Sequence, residues 1–328
     1  MTTAVGSAWA ALPAAIPLGR RYDVPRLVED VRELQGDDLW LAQRSIGQHG
    51  VIRKSPVDWT ILPLRSAGGD PKRTDAGGAG LAEHAETAHL ARVPYLAEVL
   101  RGFPVPLLAA RLMALGPGSR VREHRDAKCG LPWGLVRLHV PIITSPAARV
   151  VIDSHDYHWN PGQLWFGNFD RPHHVSNDGT ERRIHLVLDC LVTDELLGLF
   201  PPAVAAALPA EEIVRNRAPV PLTAAERATL RCTFAMPARF AEWSEEEPVA
   251  GPDDTVPAAV SAAGDTVVLE IDGTPRFGLI HLGAGEFRLA GWSEERTLSL
   301  HPTTATFTVR TGGAVSQTVS PLQRTAAA

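Results

Sequence analysis

His124-Arg125-Asp126 places two metal-donor types two residues apart, shortly after the turn sequence GPGSRV. On an extended strand the side chains at i and i+2 share a face, so His124 and Asp126 can bind one ion together. A pair of histidines stands in PHHVSN (172–177), far along the chain but in the same β-rich region. One imidazole from that strand would complete two histidines and one carboxylate. Such a facial set leaves three positions open and suits non-haem Fe(II). A cosubstrate chelated at two of those positions needs a partner for its far carboxylate, and a buried arginine fork is the matching group. Arg183 sits in a β-run where such an anchor would be, with Arg182 on the opposite face by alternation. An H-x-D alone is an ordinary surface turn; the weight comes from the three features together.

The elements that must position these residues are short β segments. LLAARLMAL, GLVRLHVPIIT, RVVIDS, LWFGNF and RRIHLVLDCLV follow one another between the turn signals GPGS, SPAA, NPG and DRP. Strands at this spacing predict a mostly β fold, an antiparallel barrel or jelly roll, with flanking helices. Helical spacing predicts helices over 24–35 and 95–101, the first with a proline near its start. Residues 66–80 form a Gly- and Asp-rich loop, long enough to be functional. Residues 203–245 read as helical, and SEEEPVAGPDDTVP (244–257) as an acidic linker in which Glu245, Glu246 and Glu247 are solvated. Beyond it TVVLEIDG, RFGLIHLG, EFRLAGW and ATFTVRT alternate as strands. The expected division is therefore 1–205 for the main domain, 206–257 for the helical segment and linker, and 258–328 for a small β-rich domain.

With 328 residues the chain is long enough for a packed core and a second unit. Its net charge of −5 argues against a nucleic-acid partner bound through a basic face. Three scattered cysteines, Cys129, Cys190 and Cys232, form neither a disulfide scaffold nor a Cys-type zinc motif, and point to a reducing, cytoplasmic setting. No apolar run is long enough to span a membrane. Residues 4–18 are apolar but lack a preceding basic residue and contain Pro13 and Pro17, so they read as an arm packed on the body rather than a signal. The arm and the C-terminal unit are both candidates for a homodimer contact.

From about residue 108 to 200 the chain resembles the aspartyl/asparaginyl β-hydroxylase family of Fe(II)/2-oxoglutarate oxygenases. The resemblance is carried by LGPGSRVREHRD, GLVRLHVPI and WNPGQLWFGNFDRPHHVSNDGTERRIHLVLDC. It extends more weakly through WTILPLRSAGGDP (59–71), which is similar to bacterial members related to the proline cis-hydroxylases. It implies a double-stranded β-helix (cupin-like) core, Fe(II), 2-oxoglutarate and O2. It implies His124 and Asp126 as metal ligands, and through the pattern H-x-V-x-N it selects His173 rather than His174 as the third. Arg183 matches the cosubstrate carboxylate anchor. Arg137 and His139, in R-x-H, match positions lining the cosubstrate pocket. The substrate expected from the family is an amino-acid side chain, free or in a peptide, with an Asp- or Asn-like peptide residue first and free proline second.

Simpler readings stand beside these. Arg137 could form a structural ion pair, and His139 could be a hydrogen-bonded core residue. His185 shares a strand face with Arg183 and is equally a packed histidine or a neighbour of the site. SHDYH (154–158) reads as a solvent hairpin, and Arg65 in PLRS as a loop charge more readily than a substrate contact. A cupin-like binding module without turnover, or a zinc hydrolase on the same ligands, are the competing classes; the anchor arginine argues against the first, and no placed general base supports the second.

Overall fold

Between Leu107 and Leu191 the chain winds back and forth between two antiparallel sheets. Strands Leu107–Leu115, Leu135–Ile143, Gln163–Gly167 and Arg183–Leu191 lie in the larger sheet. Strands Ser119–His124, Ala148–Ile152, His155–Tyr157 and His173–Asn177 form the smaller one. This alternation is the expected double-stranded β-helix. The computed structural model describes residue 9 and residues 11–36, 38–46, 52–241 and 253–324.

Arg183–Leu191 sits at the centre of the larger sheet, between Leu135–Ile143 and Leu107–Leu115, and all nine of its residues are buried. Its run RIHLVLDCL is apolar on both faces apart from Arg183, His185 and Asp189, so those three are enclosed with it. The N-terminal arm joins the same sheet: Ala15–Arg21 pairs with Gln163–Gly167, and Trp9 and Leu12 are buried. Trp59–Ala67 extends the opposite side.

Two helices cover the outer face. Val24–Glu33 begins at Asp23, whose carboxylate accepts the Arg26 N–H at 3.1 Å, a cap that contributes about 1 kcal/mol. It buries Leu27 and Val31, and its buried Asp30 accepts the Leu96 N–H at 2.6 Å, which ties it to helix Pro94–Arg101. Both match the expected segments.

The segment 203–245 differs from expectation. Among its described residues it holds only short helices, Pro202–Ala205, Ala224–Ala228 and Ala238–Ala241, with Pro209, Pro219, Pro221 and Pro237 interrupting any longer run. Cys232–Pro237, CTFAMP, alternates buried and exposed and is a strand. It pairs with Thr255–Ala263 on one side and Ala314–Arg324 on the other, closing an eight-stranded antiparallel barrel. The barrel therefore takes its first strand from upstream of the residue-258 boundary. Most of the acidic stretch, residues 244–252 with Glu245–Glu247, lies outside the described residues.

The apolar core runs from one unit into the other. Ile152, Trp159 and Phe169 belong to the same buried cluster as Leu108, Leu135, Trp292 and the barrel residues Leu269, Phe287 and Phe307. Among the described residues no helix is long and apolar enough to cross a membrane.

Candidate metal centre

His124 ends one strand of the smaller sheet and His173 begins its neighbour, and the two are cross-strand partners with ring centroids 4.2 Å apart. Past His124 the backbone leaves the strand, and the Asp126 N–H donates to Phe169 O at 2.9 Å, which returns the carboxylate to the imidazoles. His124 Nε2 lies 3.8 Å and His173 Nε2 4.0 Å from the Asp126 carboxylate oxygens. Among the described residues this is the one group of three His, Cys, Asp or Glu side chains whose donor atoms all lie within 4.8 Å of one another.

Both imidazoles are held in the tautomer a metal requires. Nδ1 of His124 is 2.9 Å from Arg122 O, and Nδ1 of His173 is 2.9 Å from Arg171 O. A carbonyl can only accept, so each Nδ1 carries the proton and each Nε2 lone pair faces the cluster. Burial also pushes the His173 imidazole below its ordinary value, which keeps it neutral.

Behind Asp126 runs a line of alternating charge. Asp126 Oδ2 pairs with Arg137, Arg137 Nε lies 2.7 Å from Asp189 Oδ1, and Asp189 Oδ2 lies 2.7 Å from Arg111. Burial works against the Asp189 carboxylate, but Arg137 and Arg111 outweigh it and hold it below the usual range. Arg137 thus meets the site as the partner of Asp126, the structural ion pair of the sequence reading, and also lines the cavity.

The cluster opens into a cavity of about 260 Å³ whose wall includes Arg183, His139, Phe169 and Met113. Arg183 is buried with no carboxylate partner among the described residues; its guanidinium donates to His185 Nδ1 at 3.0 Å. Burial pushes it down to about 9, a penalty that an incoming carboxylate would relieve. Because Arg183 can only donate, His185 Nδ1 is an acceptor, and His139 Nδ1, 3.3 Å away, donates to it as well. His139 Nε2 is then a buried lone pair with no partner. Burial, then the charges of Arg183 and Arg137, keep His139 neutral. In this tautomer His139 offers an acceptor; a carboxylate beside it calls for the other tautomer.

The donor set fits Fe(II): two neutral imidazole nitrogens and one carboxylate oxygen on one face. The unpaired, enclosed Arg183 beside them fits the far carboxylate of 2-oxoglutarate.

Other expected residues fall elsewhere. His174 is not in the cluster; it pairs in register with Val151. Arg182 is exposed and lies 3.5 Å from Asp58. Arg65 donates to the carbonyls of His84, Leu107 and Leu108, so it braces backbone rather than facing substrate. SHDYH forms the expected hairpin, with Asp153 and Ser154 at positive φ. The sequence reading missed Arg111 and Asp189. Each is a charged residue within a mostly apolar, buried strand, which is the signal that could have found them. It also left open which residues of the 66–80 loop reach the site; Asp75, Ala76 and Gly77 do.

Among curated proteins none matches this sequence. A 2-oxoglutarate-Fe(II) oxygenase family protein from Burkholderia pseudomallei is similar in structure at TM-score 0.31 and 12% identity, over 44% of this chain and 73% of that one. A prolyl hydroxylase from Trichoplax adhaerens, solved with a hypoxia-inducible-factor peptide fragment, gives TM-score 0.34 and 10% identity over 51% and 77%. Likenesses at this level carry no argument. The model of the aspartyl/asparaginyl β-hydroxylase family, by contrast, matches residues 23–192, just over half of the chain and every residue of the cluster. The chain belongs to that family, and is accordingly a 2-oxoglutarate- and Fe(II)-dependent dioxygenase that consumes O2.

Proposed function

We propose that the protein hydroxylates an aliphatic C–H of an Asp- or Asn-like residue in a peptide, releasing succinate and CO2. Fe(II), when bound, supplies the oxidative chemistry together with O2 and 2-oxoglutarate. His124, Asp126 and His173 are the residues that hold it. Arg183 takes the far carboxylate of 2-oxoglutarate, and Arg137, paired with Asp126, holds that carboxylate aimed at the imidazoles. Trp59, Met113 and Phe169 exclude water from the cavity wall.

The observation that carries the substrate reading is the charge of that wall. Arg44, Arg111, Arg137 and Arg183 line it against Asp75 and Asp126. Arg137 and Arg111 answer to Asp126 and Asp189, and Arg183 to the cosubstrate. Arg44 is left exposed at the mouth, with no acidic partner among the described residues, where it can meet a substrate carboxylate. Asp75 is already paired with Arg73 at 3.0 Å. The small volume of the cavity also admits a free amino acid such as proline, the second reading. The three cysteines are buried and unpaired, which supports a reducing compartment such as the cytoplasm.

The test is turnover of 2-oxoglutarate with Fe(II) and O2 against Asp- and Asn-containing peptides, alanine-substituted controls, and free amino acids. Succinate stimulated by the acidic peptide, with a mass gain of one oxygen atom on it, is expected. Arg44→Met should raise the KM for that peptide about tenfold with little change in kcat. Stimulation by proline alone would move the second reading to first place. Binding of 2-oxoglutarate without turnover on any substrate would favour a non-catalytic module.

A further inference from the structure

One turn of the C-terminal barrel, between strands Glu286–Leu289 and Arg296–Leu300, touches both loops that build the metal site. Its sequence, AGWSEE, is not that of an ordinary surface turn. Ser293, Glu294 and Glu295 are buried, as is Arg288 just before it.

The first loop is the one whose Asp75, Ala76 and Gly77 form a wall of the cavity. It is stitched to the barrel by backbone: the Gly80 N–H donates to Ala290 O at 3.0 Å, and Gly80 O accepts from the Gly278 N–H at 2.8 Å. Glu83 then receives both arms of the Arg288 fork, at 2.9 and 3.0 Å, and the Gly291 N–H at 2.6 Å. Gly291 has φ +76°, and a Cβ there would lie 2.5 Å from Gly78 O, so any side chain would push the loop away.

The second loop follows Asp126. Lys128 Nζ lies 2.6 Å from Glu295 Oε1, a buried pair, and the other carboxylate oxygen accepts from Trp292 Nε1 at 2.7 Å. Lys128 is two residues from Asp126, and the Cys129 N–H donates to Asp126 O at 3.2 Å. A cavity of about 230 Å³ separates Gly77, Asp126 and Arg137 on the core side from Gly291 and Trp292 on the barrel side.

Neither pair is a strong glue between two units: Glu83 is 38% exposed, so solvent screens its attraction to Arg288, and Lys128–Glu295 is a buried pair. For the buried pair desolvation roughly cancels the attraction, and apolar residues of similar size would stabilise as well or better. What directional pairs add is a fixed register between the groups they join. We propose that the barrel is a working part of the metal site, with Glu83–Arg288 and Lys128–Glu295 as positioning pairs. Through them one barrel turn sets the cavity wall at residues 75–77 and the approach of Asp126. The inference rests on the function proposed above only in taking Asp126 as a metal ligand.

The test uses the full chain and two readouts other than turnover. One is anaerobic titration with Co(II), read from its visible d–d absorption. The other is backbone hydrogen exchange over residues 70–84 and 124–130. Lys128→Met should weaken Co(II) about tenfold or more and change its band, as removal of outer-shell partners does at other metal sites. Lys128→Arg, which keeps the charge, should recover most of the affinity. Glu83→Gln should leave Co(II) affinity near wild type but speed exchange across 70–84, with the barrel strands over 266–283 unchanged. Folded variants with wild-type Co(II) affinity, spectrum and loop exchange would overturn the proposal. So would loss of protection spread evenly over the barrel with Co(II) binding intact, since that is the signature of general stabilisation. If Lys128→Met does not fold, Glu295→Gln reads the same contact. If the wild-type chain binds no Co(II), it is the metal assignment that fails, and loop exchange still decides the role of the barrel.

Discussion

His173 and His174 are adjacent, yet only one faces the cluster, because a strand turns successive side chains to opposite faces. His173→Ala should abolish turnover and weaken Co(II) or Fe(II) binding sharply, whereas His174→Ala should spare both in the same titration; the reverse pattern would overturn the ligand assignment. Arg183 makes a different prediction. Its buried guanidinium meets no carboxylate from the described residues, so Arg183→Met should raise the 2-oxoglutarate requirement about 10- to 100-fold while metal affinity stays near wild type. Unchanged cosubstrate dependence would remove it from the anchor role. The metal cluster and Arg183 were legible in the sequence because strand alternation and donor spacing act locally. The partner of Arg137 was not. That its guanidinium joins Asp126 to Asp189 depends on two paired strands meeting the loop after His124, which no local spacing reports.

At the scale of elements, the strand carrying His173 is pinned at its far end by Asn177. The buried amide donates to Leu115 O at 2.9 Å and Glu181 O at 2.8 Å, and its carbonyl oxygen accepts from the Gly179 N–H at 3.2 Å. Asn177→Ala removes all three hydrogen bonds of this buried amide and should cost about 2 kcal/mol in denaturant unfolding. Metal affinity of the folded variant should change far less, since the His124–His173 pair is at the other end of the strand. Loss below a few tenths of a kcal/mol would contradict this account of the strand end. The strands of the core were readable because their burial alternates or is continuous over whole runs. The 203–245 segment was misread because alanine-rich composition suggests helix, while its prolines and the β alternation of Cys232–Pro237 decide otherwise. Barrel closure was also beyond local reading, as it joins Cys232–Pro237 to Ala314–Arg324 at the far end of the chain.

At the scale of the molecule, the double-stranded β-helix and the barrel share one apolar cluster and two ion pairs between them, of which Lys128–Glu295 is buried. They should therefore unfold in one transition, and calorimetry that resolved two well-separated transitions would show the shared core to be energetically unimportant. Metal should raise the Tm of that transition, because only the folded chain gathers His124, Asp126 and His173, and His173→Ala should remove most of the increase. The most direct test of the central claim is anaerobic addition of Fe(II) and then 2-oxoglutarate to the purified chain, read by visible absorption. A metal-to-ligand charge-transfer band that forms only with both, and that decays with release of succinate when O2 is admitted, is the predicted result. A folded, iron-loaded protein that gives no band would contradict it, because 2-oxoglutarate would then not be chelated at this site.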